Sequence, residues 1–171
     1  SVELYQGDVS YRPRDWELKA TAVFNRNYVR LQEHNGVNIN VRKGFERTDG
    51  HVAFQELFLE AHLADLSDRY DFISAKAGIQ RFASDARGFV FGDENLGARI
   101  FGTAANNTVQ YNLIVLPLLE KETNSELNTM FESRGQTVAI ATLDLRDLLA
   151  LGYSTQFSMH ANNDRGIPHF N

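Results

Sequence analysis

The sequence contains no cysteine, three prolines and one tryptophan among its 171 residues. The absence of cysteine excludes disulfides, thiolate metal sites and a cysteine nucleophile together. Basic residues are also in deficit, since 17 Lys and Arg stand against 22 Asp and Glu, for a net charge of −5. A nucleic-acid-binding domain normally has a basic surplus, so we expect no nucleic-acid partner.

Long apolar runs are missing as well. The longest purely apolar stretch extends only from Leu113 to Leu119, whereas a helix that spans a bilayer needs roughly 20 such residues. Mean hydropathy is −0.35, and no charged-then-apolar leader is visible. The length suits one domain with a buried core, which we expect to occupy residues 1–171 without a further boundary.

Motifs for catalysis are absent too. The sequence has no Gly-x-Ser-x-Gly elbow, no phosphate-cradling loop and no His-Glu-x-x-His. Its five histidines, at positions 34, 51, 62, 160 and 169, lack the spacing of metal ligands. We therefore expect no enzyme activity, no cofactor and no metal.

What the sequence does contain is an alternation of apolar and polar residues with a period of two, which is typical of strands with one apolar and one polar face. Ordinary strands have about five or six residues, whereas a strand that crosses a membrane needs about 9–11. Eight segments of nine or ten residues alternate, the first four clearly and the others weakly: Trp16–Asn25, Gln55–Leu63, Phe72–Gln80, Tyr153–Asn162, Val2–Tyr11, Asn95–Thr103, Val109–Leu118 and Gln136–Leu145. The sequence thus predicts an all-β fold, an antiparallel up-and-down transmembrane β-barrel with about eight strands in this chain.

The connections between these segments alternate in length. Short connections are expected at 12–15, 65–68, 104–107 and 146–152, and longer ones at 27–51, 81–94 and 120–135. Up-and-down barrels of the bacterial outer membrane have short turns on the periplasmic side and long loops outside. This pattern favours a location in the bacterial outer membrane, with its lipid bilayer as a partner.

Aromatic residues gather beside the short connections. Amphipathic rings at one end of the strands are what a membrane–water interface selects. The sequence therefore predicts an interfacial aromatic girdle, composed of Tyr11, Trp16, Tyr70, Phe72 and Tyr153.

The polar face of the alternating segments is expected to line the interior. Rings of charge in a pore select solutes by sign, but the same residues could instead form cross-strand ion pairs that satisfy one another. Both interpretations are open at this stage. The residues concerned are Glu17, Lys19, Glu56, Glu60, His62, Lys76, Arg99 and His160.

The most distinctive stretch of the chain extends from Gly78 to Ile100. It begins with Gly-Ile-Gln-Arg-Phe, and after a loop the sequence Asp-Glu-Asn-Leu-Gly leads into the next strand. Its loop concentrates charge, and we predict a charged patch formed by Arg81, Asp85, Arg87, Asp93 and Glu94. Arg81 and Arg87, together with Arg99 in the next strand, could attract anions, but pairing with the acids between them is the interpretation we favour.

This stretch resembles the strand–loop–strand unit of Gram-negative outer-membrane β-barrels of the porin or alginate-export type, in which a Gly-x-Gln-Arg strand end leads into a loop. The resemblance implies a channel for passive passage of small or anionic solutes. Barrels of that type have about 18 strands. The chain is therefore expected to be a small complete barrel or a contiguous segment of a larger one, and its two ends favour a segment.

Two other functions stay open. A non-conducting outer-membrane barrel would act as an anchor or scaffold for protein partner subunits. A soluble lipocalin-like binding barrel would direct its apolar face inwards and its polar face outwards. Strand length and the alternation of connections favour the membrane over the soluble barrel.

Overall fold

A computed structural model describes residues 1–7, 13–30, 44–84, 91–122, 125–147 and 150–165. These residues form eight strands in one antiparallel sheet, and each strand pairs with its neighbours in sequence. The strands are β1 (Val2–Gln6), β2 (Trp16–Arg30), β3 (Glu46–Asp65), β4 (Phe72–Ala83), β5 (Gly92–Ala104), β6 (Val109–Lys121), β7 (Asn128–Arg146) and β8 (Ser154–Asp164). The predicted all-β, antiparallel up-and-down class is confirmed. Among the described residues β1 and β8 do not pair with each other, and closure into a barrel stays a prediction.

No helix within the described ranges is long and apolar enough to cross a membrane.

The strands are longer than the alternation predicts. β3 begins at Glu46 rather than Gln55, and β7 begins at Asn128 rather than Gln136. The long connections predicted at 27–51 and 120–135 are therefore wrong in their bounds, since β2 continues to Arg30 and β3 begins at Glu46, while β6 continues to Lys121 and β7 begins at Asn128. The reason is that polar residues predominate at these added ends, in 46–51 of β3 and on either side of Met130 and Phe131 in β7, so the period-two pattern of apolar residues is lost there.

Two bulges keep most of the apolar residues of β3 on one face over its 20 residues, whereas Ala53 and Phe58 are buried on the other face. The register shifts opposite Thr21 and Ala22, which leaves Gln55 as the extra residue. Even-numbered Phe54 and odd-numbered Leu57 consequently lie on the same side of the sheet. A second shift falls between His62 and Ala64.

The cross-strand register defines an apolar face. Exposed hydrophobic side chains extend over it from β2 to β8, and examples are Phe24, Val115 and Met159, which are 66%, 51% and 75% exposed. Between them two adjacent cross-strand rows are rich in alanine. One row contains Leu59, Ala77, Ala98, Val115, Ala139 and Ala161, and the other contains Ala61, Ala75, Ile100, Leu113, Ala141 and Met159.

The opposite face, which we call the polar face, also contains the buried core. Ile114, Leu116, Val138 and Ile140 on β6 and β7 pack there with Phe82 of β4 and are almost fully buried. β6 is thus apolar on both sides, which is typical of a strand covered on both faces. In the sequence this burial on both faces corresponds to the apolar run from Leu113 to Leu119.

The sheet curls towards its polar face. We call the end of the strands with the connections 66–71 and 105–108 the turn end and the opposite end the loop end. At the loop end, His51 Nε2 of β3 lies 3.2 Å from the carbonyl oxygen of Asn128 at the start of β7. In a flat sheet two strands that are four positions apart would be separated by about 19 Å. The polar face is therefore concave at this end.

Candidate functional site on the polar face

Charged side chains form a row across the polar face. The register places Glu17, Glu60, Lys76 and Arg99 side by side on β2 to β5, and the row continues through Ile114 and Ile140 to His160 on β8. Lys19, Glu56 and His62 lie on the same face in neighbouring rows. All eight residues predicted for this face therefore share it.

Each acid of this group has a basic partner. Glu56 pairs with Lys19 at 2.7 Å and Glu60 with Lys76 at 3.1 Å, and the Glu56 carboxylate also accepts a hydrogen bond from Thr21. Glu17 pairs with Arg14 of the preceding turn rather than with a strand neighbour. On β2 to β4 the arrangement thus matches the cross-strand ion pairs that the sequence left as one of two interpretations.

Arg99 is the cation without such a partner. It forms no ion pair with the described residues, and its buried Nε has no hydrogen-bond partner among them. Its guanidinium lies 4.5 Å from the centre of the Phe101 ring. Lys76 makes a closer cation–π contact, with its Nζ 3.4 Å from the centre of the Phe58 ring. Arg99 is therefore stabilised by a ring and by distant charge only.

The ends of β4 and β5 leave the sheet as a separate unit. The last residue of β4 that pairs with β3 is Ile79, and the first residue of β5 that pairs with β6 is Ala98. Beyond them the two strands pair only with each other, as far as Ala83 and Gly92. We call residues 79–84 and 91–96 the folded hairpin.

The folded hairpin turns back over the polar face. Ser84 is ten residues beyond Ser74 along β4, which in a straight strand separates them by about 33 Å. Yet the carbonyl of Ser84 accepts a 3.2 Å hydrogen bond from the Ser158 hydroxyl on β8. Ser158 lies in the same cross-strand row as Ser74. A hairpin that continued straight could not make this contact.

Apolar packing and side-chain hydrogen bonds hold the folded hairpin in place. Phe82 inserts into the core on β6 and β7, and Phe91 packs against the same cluster. The Asn95 side chain accepts a 2.8 Å hydrogen bond from the backbone N–H of Leu119. This bond replaces a ladder hydrogen bond that β5 and β6 lose when they separate.

Two glycines face each other where the hairpin leaves the sheet. Gly78 pairs with Gly97, and Gly78 has a φ of +127°. A Cβ at Gly78 would lie 2.1 Å from the carbonyl oxygen of Leu57, and one at Gly97 would lie 2.8 Å from the carbonyl oxygen of Val115. Only glycine fits both positions, because the backbones of β3 and β6 occupy the space that a side chain would need.

The residues of the predicted charged patch do not form one cluster in the described part of the folded hairpin. Arg81 is opposite Glu94 in the register and exposed, whereas Asp93 pairs at 2.8 Å with Lys121 of β6. The pairing with Lys121 could not be predicted from the sequence, because Lys121 lies in another strand, 28 residues from Asp93. The other two members of the patch, Asp85 and Arg87, lie outside the described residues.

The predicted aromatic girdle is divided as well. Trp16, Tyr70 and Tyr153 are exposed at the turn end, where the Trp16 indole donates a 2.9 Å hydrogen bond to Gln6. Phe72 instead lies on the polar face, with its ring centre 6.1 Å from that of His62 and 6.3 Å from that of Phe101. We therefore leave Phe72 out of the girdle. Tyr11 falls outside the residues that the structure describes.

A polar cavity of about 500 Å³ lies beneath the tip of the folded hairpin. Its walls are formed by Ala83 and Ser84 of the hairpin and by β5 to β8. Sequence reasoning did not predict this cavity, because it exists only after the hairpin folds back. Within the described ranges no cluster of three acidic or histidine side chains is placed to hold a metal ion.

No protein-family model, curated protein or solved structure matches this chain. The resemblance to barrels of the porin or alginate-export type therefore stays a prediction.

Proposed function

We propose that this chain forms the wall of a channel in a bacterial outer membrane. In this proposal the apolar face contacts lipid, and the polar face borders a water-filled interior through which small or anionic solutes pass. The observation that carries the proposal is the apolar face itself, which is exposed and continuous from β2 to β8.

The dimensions of the strands support contact with lipid. β2 to β8 contain between 11 and 20 residues each, and a strand that crosses a bilayer needs about 9–11. Soluble monomers rarely expose a contiguous apolar patch of more than a few hundred Å². In lipid such a face is favourable, provided that backbone groups pair within the sheet.

The polar face supports passage of solutes. It presents ion-paired carboxylates and ammonium groups on β2 to β4 and, on β5, the guanidinium of Arg99, which has no ion pair with any described residue. The folded hairpin narrows the space above this face at the side of β6 to β8. Charge and a constriction are the two means by which pores select solutes.

A non-conducting barrel that anchors partner subunits is the second candidate. It is favoured by the apolar core under the folded hairpin, which fills part of the space on the polar face. A lipocalin-like barrel has less support, because its apolar face would have to be concave and the sheet curls in the opposite direction.

The substitution Val115→Arg tests the contact with lipid. Val115 lies in the middle of the apolar face and is 51% exposed. In liposomes we expect the free energy of unfolding to fall by about 2–4 kcal/mol, the cost of an arginine facing the middle of a bilayer. Asn25→Arg, which adds the same charge on the polar face, should change it by only about 0.5 kcal/mol. Equal small effects of both variants would contradict the proposal.

Conductance separates the channel from the anchor. We expect the native protein, extracted from outer membranes and inserted in a planar bilayer, to give stepwise ion currents. If Val115→Arg shows contact with lipid but the inserted protein remains silent, the anchor replaces the channel.

A further inference from the structure

We propose that the cavity beneath the folded hairpin binds a small hydroxylated carboxylate, with Arg99 as the residue that binds the carboxylate group. The inference deepens the proposed function and rests on it in one respect, namely that the polar face is open to water. It adds a specific site and a class of ligand.

The charge at Arg99 is not balanced by its neighbours. Lys76, the residue beside it in the cross-strand row, is also a cation. The nearest acid of that row, Glu60, is already paired with Lys76 at 3.1 Å. A half-buried guanidinium without a carboxylate is costly, and a bound anion would offset that cost with charge-assisted hydrogen bonds.

Two further residues that line the cavity each have a buried polar atom without a partner among the described residues. These atoms are the hydroxyl oxygen of Ser84 on the hairpin and Oδ1 of Asn112 on β6, and a ligand would have to turn both side chains towards the cavity. An amide oxygen can only accept a hydrogen bond, so Asn112 needs a ligand that donates one. A hydroxyl group of the ligand meets this need, and the Ser84 hydroxyl can either donate or accept.

The remaining walls restrict the ligand further. The rings of Phe72 and Phe101 provide apolar surface for carbon atoms. Asp144 also lines the cavity and lies on β7, four residues beyond Ile140, which shares a cross-strand row with Arg99. Four residues extend about 13 Å along a strand. The Asp144 carboxylate disfavours a second anionic group at that end. The cavity therefore fits a monoanion whose charged end lies at Arg99.

The ligand class can be tested with two matched probes, D-gluconate and sorbitol, which have six carbons each and differ in the carboxylate. We expect the detergent-solubilised native protein to bind gluconate in calorimetric titrations, and to bind sorbitol at least ten-fold more weakly. Equal binding of the two, or no binding of gluconate, would overturn the inference.

Two variants then test whether Arg99 is the residue that binds the carboxylate group. Arg99→Gln should weaken gluconate binding by about 10- to 100-fold, since a hydrogen bond to a charged group is lost. Arg26→Gln removes the same charge from an exposed position of β2 outside the cavity and should leave the affinity unchanged. If both variants weaken binding equally, net charge rather than a site is responsible, and the inference fails.

Folding and conduction are measured separately so that failures can be told apart. Circular dichroism and the gel shift on heating report whether Arg99→Gln folds. If it does not, Ser84→Ala takes its place and should weaken gluconate binding several-fold. Binding without conductance would retain the site and reject the channel, whereas conductance without binding would retain the channel and reject the site.

Discussion

The two ends of the strands are held together by different kinds of contact. At the turn end, the Asp71 carboxylate accepts hydrogen bonds from the backbone N–H groups of Asn106 and Asn107, at 3.0 and 2.8 Å, and from the Ser67 hydroxyl. It thereby joins two neighbouring turns. At the loop end, His51 of β3 contacts Asn128 of β7, four strand positions away. The hairpin that leaves the sheet there folds back, so that Ser84 reaches Ser158 of β8 nearer the turn end.

This difference shows that the turn end is ordered by hydrogen bonds between its turns, whereas the hairpin that leaves the sheet at the loop end covers part of the polar face. Local polar groups suffice where short turns meet, because their partners are close in sequence or in adjacent hairpins. The loop end needs curvature and a folded hairpin, and both depend on residues that come together only after the sheet has formed. Contacts of this second kind determine access to the polar face.

Gly78→Ala should disrupt the loop end most. The added Cβ would lie 2.1 Å from the Leu57 carbonyl oxygen, at a φ of +127°. Overpacking and backbone strain together should lower the free energy of unfolding by about 3–5 kcal/mol. Urea titration followed by the fluorescence of Trp16 measures this. Gly50→Ala is the matched control, since its Cβ would meet nothing closer than 3.9 Å. If Gly78→Ala were as stable as this control, the close approach of Gly78 to β3 would be contradicted.

Asp71→Asn should affect the turn end, by less than the glycine substitution. Hydrogen bonds from the backbone of Asn107, then from Asn106 and from Ser67, hold the pKa of the Asp71 carboxyl below its ordinary value. A carboxyl whose pKa is lower in the folded state stabilises the fold above the unfolded-state pKa, and this contribution is lost as the pH falls through the folded-state pKa. The wild type should therefore have a higher urea midpoint than Asp71→Asn at neutral pH, and the difference should shrink in acid. Asp68→Asn in the same exposed turn serves as control, and a difference that does not vary with pH would contradict this account.

Lys121→Gln should have the smallest effect. Lys121 pairs with Asp93 at 2.8 Å, and both side chains are more than a quarter exposed. Partly exposed ion pairs contribute up to about 1 kcal/mol, so the hairpin should remain folded. A double-mutant cycle with Asp93→Asn measures the coupling. A coupling well above that range would mean that the hairpin depends on this ion pair more than on the packing of Phe82.

The number of strands and the faces of their residues could be predicted from the sequence. A period of two assigns each residue of a strand to a side, so Lys19, Glu60 and Arg99 were placed on one face without any structure. The bounds of β3 and β7 could not be predicted, because polar residues predominate at the first ends of these strands. The change of parity at Gln55 also hid the first part of β3.

The folded hairpin could not be predicted from local patterns. Its contact from Ser84 to Ser158 spans 74 residues, and the pairing of Gly78 with Gly97 becomes meaningful only once the register is known. One signal was present in the sequence, namely the run from Leu113 to Leu119, which does not alternate. A strand that is apolar on both sides requires a cover on its second face, and the hairpin is that cover.

The facing glycines separate the folded hairpin from the rest of the sheet. Gly78 and Gly97 mark the point beyond which β4 and β5 pair only with each other, and the described residues of the hairpin make no ladder contacts with β3 or β6 beyond Ile79. Changes in the length of the hairpin therefore leave the register of the sheet unaltered, provided that Phe82 keeps its place in the core. The hairpin thus determines how far the polar face is covered, and the strands determine the register of the sheet, independently of one another.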